Sequence, residues 1–520
     1  MFRRRWSGLP EDPEFPTDLE KLGYFINEID EIRSCADPNL YFNYFIDKNS
    51  RINDRLRFAF TIAVDDIIHA RLTSLGLDRL ALPVSVRGDD SKPQTPIFVT
   101  PDLAAKKRIV VVFGETNQDL GVLAHRVIAR QGGINEGSMV SIVKALLAKK
   151  GSNTNTITAN DDEKATRKNA QDATNDTNSN STNEKDEEVG IILANSGETW
   201  WWPDGKRALC YRQSMNAKME SAAHKGIAYN SAVHGIPGNE DIDAHVKCVF
   251  ESILGNPEFV GSCLGSQEQE GTATVQVIGI SEGAIAAEKY LDENWHRWSR
   301  NVGCLALIGD GLAIGEVKNE SFKQFLAKKA RAYITSTEDV GTPIANSTGN
   351  TGTLTFTNYG CPVLASGENY YSELTLIKAK GHVIPWMSKV YKAGKTYVNP
   401  VMDITFCDES YAPTTEWPED WVENVKKKRG EAEQKDWEKE LQEDKDRDKD
   451  QKGHSVQQSA EQEATNLDHS KDTWQVHVAE HKEQEMKHKT VDVDAAAQTI
   501  DMQAHCKDAG DEDDGAKAFV

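Results

Sequence analysis

The sequence has no C-x-x-C pair among its eight cysteines, no long apolar run and no excess of basic charge. Each absence removes a class of function. Unpaired cysteines offer neither a zinc ribbon nor a dithiol redox centre, and Cys304, inside the apolar stretch VGCLALIG, has the setting of a reduced core thiol of an intracellular protein. No run approaches the roughly 18 to 20 apolar residues that span a bilayer. The N-terminal MFRRRWSGLPEDPEFP is basic but lacks the apolar stretch of a secretory signal. Asp and Glu number 82 against 60 Lys and Arg, a net charge of -22, so general electrostatic attraction to nucleic acid or to an anionic membrane is not expected. These features predict a protein of the nucleus and cytoplasm that needs no cofactor, contacts no membrane and does not bind nucleic acid directly.

Two segments cannot build a core. Residues 151–188, GSNTNTITANDDEKATRKNAQDATNDTNSNSTNEKDEE, are nearly free of large apolar side chains and are expected to be a disordered insertion within one domain. Residues 411–520 carry 29 acidic against 16 basic residues. Their charges are mixed too closely to leave an apolar stripe, which predicts an appended tail, helical in places and otherwise disordered. The core is therefore expected over 96–410, preceded by a mostly helical extension over 1–95.

Within the core, apolar runs of strand length alternate with amphipathic runs of helix length. The strand candidates are TPIFVTP, RIVVVFGE, GIILANSG, TVQVIGIS, GCLALIGDG, RAYITS and CPVLASG; the helix candidates include DLGVLAHRVI, GSMVSIVKALLAKK, DIDAHVKCVFESIL, GAIAAEKYLDENW, NESFKQFLAKKA and SELTLIKAKGHVIPWMSKV. Continuous apolar runs mark strands covered on both faces, and alternation with helices marks parallel crossovers. The expected class is α/β: an α/β-hydrolase-like, mostly parallel sheet wrapped by helices on both faces.

VQVIGISEGAIAAEKYL, residues 275–291, contains Gly279, Ser281 and Gly283 in the G-x-S-x-G spacing of a nucleophile elbow. Such an elbow lifts a serine above the sheet, and its glycines remove side chains that would collide. The following helix start would stabilise negative charge there, and Gly114, Glu115 and Thr116 lie where a second oxyanion donor belongs. A hydrolase also needs a carboxylate and then a histidine, in that chain order. Glu338 and Asp339 are the carboxylate candidates, with Asp310 a weaker choice. The loop after the last strand, where the histidine belongs, holds Tyr370 and Tyr371. His382 comes about a dozen residues later in a helical pattern, where an ordinary helix histidine is the simpler reading. Glu282 would place a second negative charge beside the oxyanion.

Three other motifs carry potential chemistry. His477, Glu480 and His481 spell H-x-x-E-H, but the charged tail offers no third ligand, so no metal site is assigned. Trp200, Trp201 and Trp202, followed by Lys206 and Arg207, could stack on a single strand of nucleic acid; the acidic overall field favours packing in the core instead. In HGIPGNEDIDAHVKCVF, Asn239 reads as a helix cap and His234 and His245 as surface or helix residues.

RRRWSGLPEDPEFPTDLEKLGYFINEIDEIR, RIVVVFGETNQDLGVLAHRVI with GGINEGSMVSIVKAL, GIILANSGETWWWPDGKRAL, IPGNE and GCPVLASGENYY together resemble the argonaute-binding protein 2 domain family of fungi. The resemblance spans about residues 1–410 apart from the polar insertion. It implies an α/β-hydrolase-like domain without an established hydrolytic role. The family's fission-yeast namesake belongs to a complex that holds Argonaute with duplex small RNA and supports small-RNA-directed heterochromatin. A related domain forms the C-terminal part of fungal class II histone deacetylases. The resemblance thus implies a non-catalytic subunit with an Argonaute-type or chromatin-modifying partner. The rival expectation from the residues is a serine esterase using Ser281 with Glu338 or Asp339 and His382.

Overall fold

RIVVVF, Arg108–Phe113, is buried along its whole length, as a strand covered on both faces must be. A computed structural model describes residues 8–148, 188–260 except 225 and 227, and 273–408, all within the unit Met1–Pro413. Most of the polar insertion, the tail beyond 408 and the H-x-x-E-H motif lie outside the described residues.

The main sheet has nine strands: β1 (Asp78–Leu82), β2 (Thr95–Val99), β3 (Arg108–Phe113), β4 (Val189–Leu193), β5 (Thr274–Ile280), β6 (Val302–Ile308), β7 (Ala330–Ile334), β8 (Pro343–Ala345) and β9 (Val363–Ala365). Their spatial order is β8-β9-β7-β6-β5-β3-β4-β2-β1. The six central strands, β4 through β9 in that row, pair in parallel, while β8 at one edge and the β1-β2 pair at the other are antiparallel. All seven strand segments expected from the sequence are present. The two additional strands, DRLAL and PIA, are antiparallel edges, too short or too exposed to show as apolar runs.

Six of the helices flank the sheet: α1 (Ser50–Ser74), α2 (Met139–Leu147), α3 (Ile242–Cys248, continued by a π-helical stretch Val249–Leu254), α4 (Glu282–Trp298), α5 (Glu320–Lys329) and α6 (Thr375–Ala393). Alternation along the strands divides the core between the two faces. Ile109, Val111 and Phe113 of β3 pack with α3, α4 and α5; Val110 and Val112 pack with α1, α2 and α6. The α/β class is thus observed, with helices on both faces.

Three local details differ from the sequence reading. Of DLGVLAHRVI only His125–Ile128 is helical, because Gly121 adopts φ 88° and turns the chain first. Asp241, not Asn239, caps α3, its side chain accepting from the Ala244 N–H at 2.8 Å; Asn239 is buried and meets His245 Nδ1 at 2.7 Å. The N-terminal region adds to its long helix α1 a hairpin, Tyr24–Ile26 with Ile32–Ser34, and the edge strand β1.

Candidate functional site

The strand order reverses direction at β3, whose next strand in the chain, β4, lies on one side and β5 on the other. In open α/β sheets the crevice beyond the carboxyl ends at such a switch point is where ligands bind. Glu115 follows β3 and Ser281 follows β5 at this point, since Phe113 pairs with Gly279.

Ser281 has φ 48° and ψ -118° and forms the cap of α4. A non-glycine residue in this region costs on the order of 1–3 kcal/mol and persists only where its surroundings hold it. Here the Ser281 N–H donates to Ile308 O at 2.8 Å, and its carbonyl accepts from Ala284 N at 2.9 Å. The flanking glycines permit the turn. A Cβ on Gly279 would lie 2.3 Å from Ala284 Cα, and one on Gly283 would lie 2.5 Å from Gly114 O. The backbone is therefore a strained nucleophile elbow between a buried strand and a helix.

The side-chain chemistry around it is not that of a triad. Ser281 Oγ donates to Glu115 Oε1 at 2.8 Å, and Gln118 Nε2 donates to Glu115 Oε2 at 3.2 Å. Burial pushes the Glu115 carboxyl above its ordinary range; its two hydrogen bonds oppose the shift, and the charges of Glu282 and Glu373 add to it. The serine hydroxyl thus donates to a carboxylate in an acidic setting, at the place where a triad presents an imidazole. Gly114 and Thr116 are half-buried beside Glu115.

The remaining predicted residues are held by other partners. His382 Nδ1 shares a hydrogen bond of 3.2 Å with the Tyr333 hydroxyl, and burial lowers its pKa, with the Arg331 charge second. Its ring packs against Gly341, where a Cβ would approach Nε2 to 2.6 Å. The Glu338 N–H donates to Ser336 Oγ, while Asp339 is exposed and its carbonyl accepts from Thr342 N. Asp310 accepts from the Gly311 N–H and the Tyr359 hydroxyl. No hydrogen bond among the described residues links Ser281, His382 and either carboxylate candidate.

Tyr370 and Tyr371 both donate their N–H groups to Glu368 Oε1 at 3.1 Å. Tyr370 is 81% exposed. Tyr371 lies beneath the Arg126 guanidinium, 3.9 Å from the ring centroid, and Arg126 pairs with Glu373 at 3.1 Å. Sequence reasoning missed Arg126 and Glu373, which have no motif of their own and are brought together only by the fold. It also missed the seat of His245, which is fully buried; its Nε2 accepts from the Asn195 N–H at 2.9 Å.

Trp200 and Trp201 are buried in a hairpin that pairs Trp200–Trp202 with Arg207–Leu209, so two of the three tryptophans serve packing. Among the described residues, no group of three or more His, Cys, Asp or Glu side chains is placed to hold a metal ion. No described helix is long and apolar enough to cross a membrane.

The model of the Arb2 domain matches residues 15–340. That span includes Glu115, Ser281 and the glycines of the elbow, and it ends before Tyr370, Tyr371 and His382. No curated protein and no solved structure matches the chain.

Proposed function

Because the chain belongs to the Arb2 domain family, we propose that it is a non-catalytic interaction subunit that binds an Argonaute-type protein or a histone-modifying complex. The family supports a role of this kind in general terms. The finer reading, support of small-RNA-directed heterochromatin in nucleus and cytoplasm, follows what the sequence resemblance implies for the family. The observation that carries the non-catalytic part is the Ser281–Glu115 hydrogen bond of 2.8 Å. A serine hydrolase deprotonates its serine with a base that then carries the proton to the leaving group. The partner of the Ser281 hydroxyl is instead a half-buried carboxyl beside other acids, and His382, the imidazole of the expected triad, is engaged by Tyr333. Affinity purification of the tagged chain tests the proposal. Recovery of Argonaute or histone-modifying components supports it, and recovery of neither overturns it.

A second reading, a serine esterase using Ser281, is favoured by one observation, the strained backbone at φ 48°. Labelling by a fluorophosphonate probe that disappears in Ser281→Ala would establish it; folded protein that takes no label would end it.

A further inference from the structure

Residues 8–18 lie as a strap against the start of α1 and the segment 215–222. Asp12 is the only residue of this strap that is buried; the chain reaches the core at Leu19, where a turn begins with the Leu22 N–H donating to Asp18 O. The hold on the strap is therefore largely polar. Arg51 donates to both Asp12 oxygens, at 2.6 Å through Nε and 2.5 Å through a terminal nitrogen. Arg55 stands 3.4 Å from the same carboxylate, and the Met219 N–H donates to it at 2.9 Å. Lesser bonds run from Arg55 to Pro13 O at 2.9 Å and from the Ala222 N–H to Pro10 O at 3.0 Å, and Lys218 pairs with Glu14 at the surface.

Two observations separate the strap from what lies beneath it. The joint under it is closed without its help: Arg51 also donates to Met215 O at 3.1 Å and Ala217 O at 2.7 Å, and Arg55 to Asn216 O at 2.8 Å. These bonds keep α1 tied to residues 215–217 when the strap is away. The strap also packs loosely. Between Phe15 on its side and Phe58, Ile62 and Trp202 on the other lies a hollow of about 260 Å3, whereas a protein interior leaves few voids larger than a water molecule. Opening gives up little apolar burial. It also returns Asp12 and the guanidiniums to water, which offsets much of the attraction lost. Segments with few buried apolar contacts and bonds that water can replace open more readily than the whole fold.

We infer that residues 8–18 open and close as a unit about the Asp12 clasp while the α/β core stays folded. Closed, the strap stands over the wall formed by Phe58, Ile62 and Trp202; open, it bares that wall. One carboxylate sets the balance, and the device does not depend on which partner the chain binds.

The test is hydrogen exchange of the full chain, resolved to single amides by fragmentation mass spectrometry. The Met219 and Ala222 amides donate to the strap and report its opening. The Ala217 amide, bonded to Gln213 O, reports the segment beneath, and the amides of β3 report the core. In the parent, Met219 and Ala222 are expected to exchange about 100-fold faster than β3, at a rate that about 1 M urea leaves nearly unchanged because little surface is exposed in opening. Asp12→Asn keeps an acceptor for Met219 and removes the charge between the guanidiniums. It is expected to speed exchange at Met219 and Ala222 on the order of tenfold, with Ala217 and β3 unchanged. Exchange of the two reporters at the rate of β3 in the parent overturns the strap without any variant. It is overturned equally if Ala217 exchanges in step with them, or if Asp12→Asn speeds all of these amides alike or none of them.

Discussion

Ser281 Oγ and Glu115 Oε1, 166 residues apart in the chain, are joined by a hydrogen bond of 2.8 Å across the switch point of the sheet. The strained serine is therefore held by a carboxyl supplied from the loop that would otherwise help to form an oxyanion hole.

Glu115→Gln should melt at a higher temperature than the parent at pH 7. The amide oxygen still accepts from Ser281, while the burial and repulsion that raise the Glu115 pKa are removed. A carboxyl whose folded pKa is raised binds more protons folded than unfolded, so its contribution falls as pH climbs above the ordinary 4.5. The advantage of the variant should accordingly shrink as melts are repeated toward pH 4.5.

The two glycines Gly283 and Gly381 should respond oppositely to alanine. At Gly283 a Cβ would lie 2.5 Å from Gly114 O and 2.6 Å from Phe113 O, both backbone, and overpacking of this kind costs about 1–3 kcal/mol. At Gly381, exposed within α6, nothing lies within 4 Å, and helix propensity gives alanine roughly 0.5–1 kcal/mol. Urea unfolding of the two variants measures both signs.

Much of this was legible in the sequence, and what was not has a common cause. The central strands declare themselves because a strand buried on both faces is a continuous apolar run, and the elbow because Gly279, Ser281 and Gly283 fall within five consecutive residues. Partner choice across the fold is not local. Nothing near Ser281 indicates that Glu115 turns toward it, and His382 meets Tyr333 from another element. The edge strands were hidden, Asp78–Leu82 by its half-exposed pattern and Pro343–Ala345 by its length of three residues. The buried Asp65 left a trace, a carboxylate inside the apolar run TIAVDDIIHA, which marks a buried acid once one looks for charge within a core helix.

Acid should destabilise the fold through His245. Burial lowers its pKa from 6.5 to about 3, so the folded state binds fewer protons than the unfolded state between those values. Its contribution is complete above pH 6.5 and is lost as pH falls toward 3, with a limiting slope of about 1.4 kcal/mol per pH unit for one proton. His245→Gln should be less stable at pH 7, because it disturbs the bonds to Asn195 and Asn239. Its stability should also fall less steeply between pH 6.5 and 5, as denaturant titrations at each pH will show.

Glu288→Gln should stabilise the protein at pH 7 to 8. The Glu288 side chain is fully buried in α4, accepts from the Leu312 N–H at 2.6 Å, and burial drives its carboxyl well above the ordinary range. Its contribution therefore declines as pH rises from 4.5 upward. An amide keeps the acceptor and removes the titration, so the gain should vanish near pH 4.5; a gain independent of pH would contradict this linkage.

The central claim is that the fold is kept for binding while its elbow serine is idle. Quantitative affinity purification of the parent chain and Ser281→Ala in parallel tests it most directly. Argonaute-type or histone-modifying components are expected in both, at equal yield. Their absence from both, or their loss in Ser281→Ala, would contradict the claim.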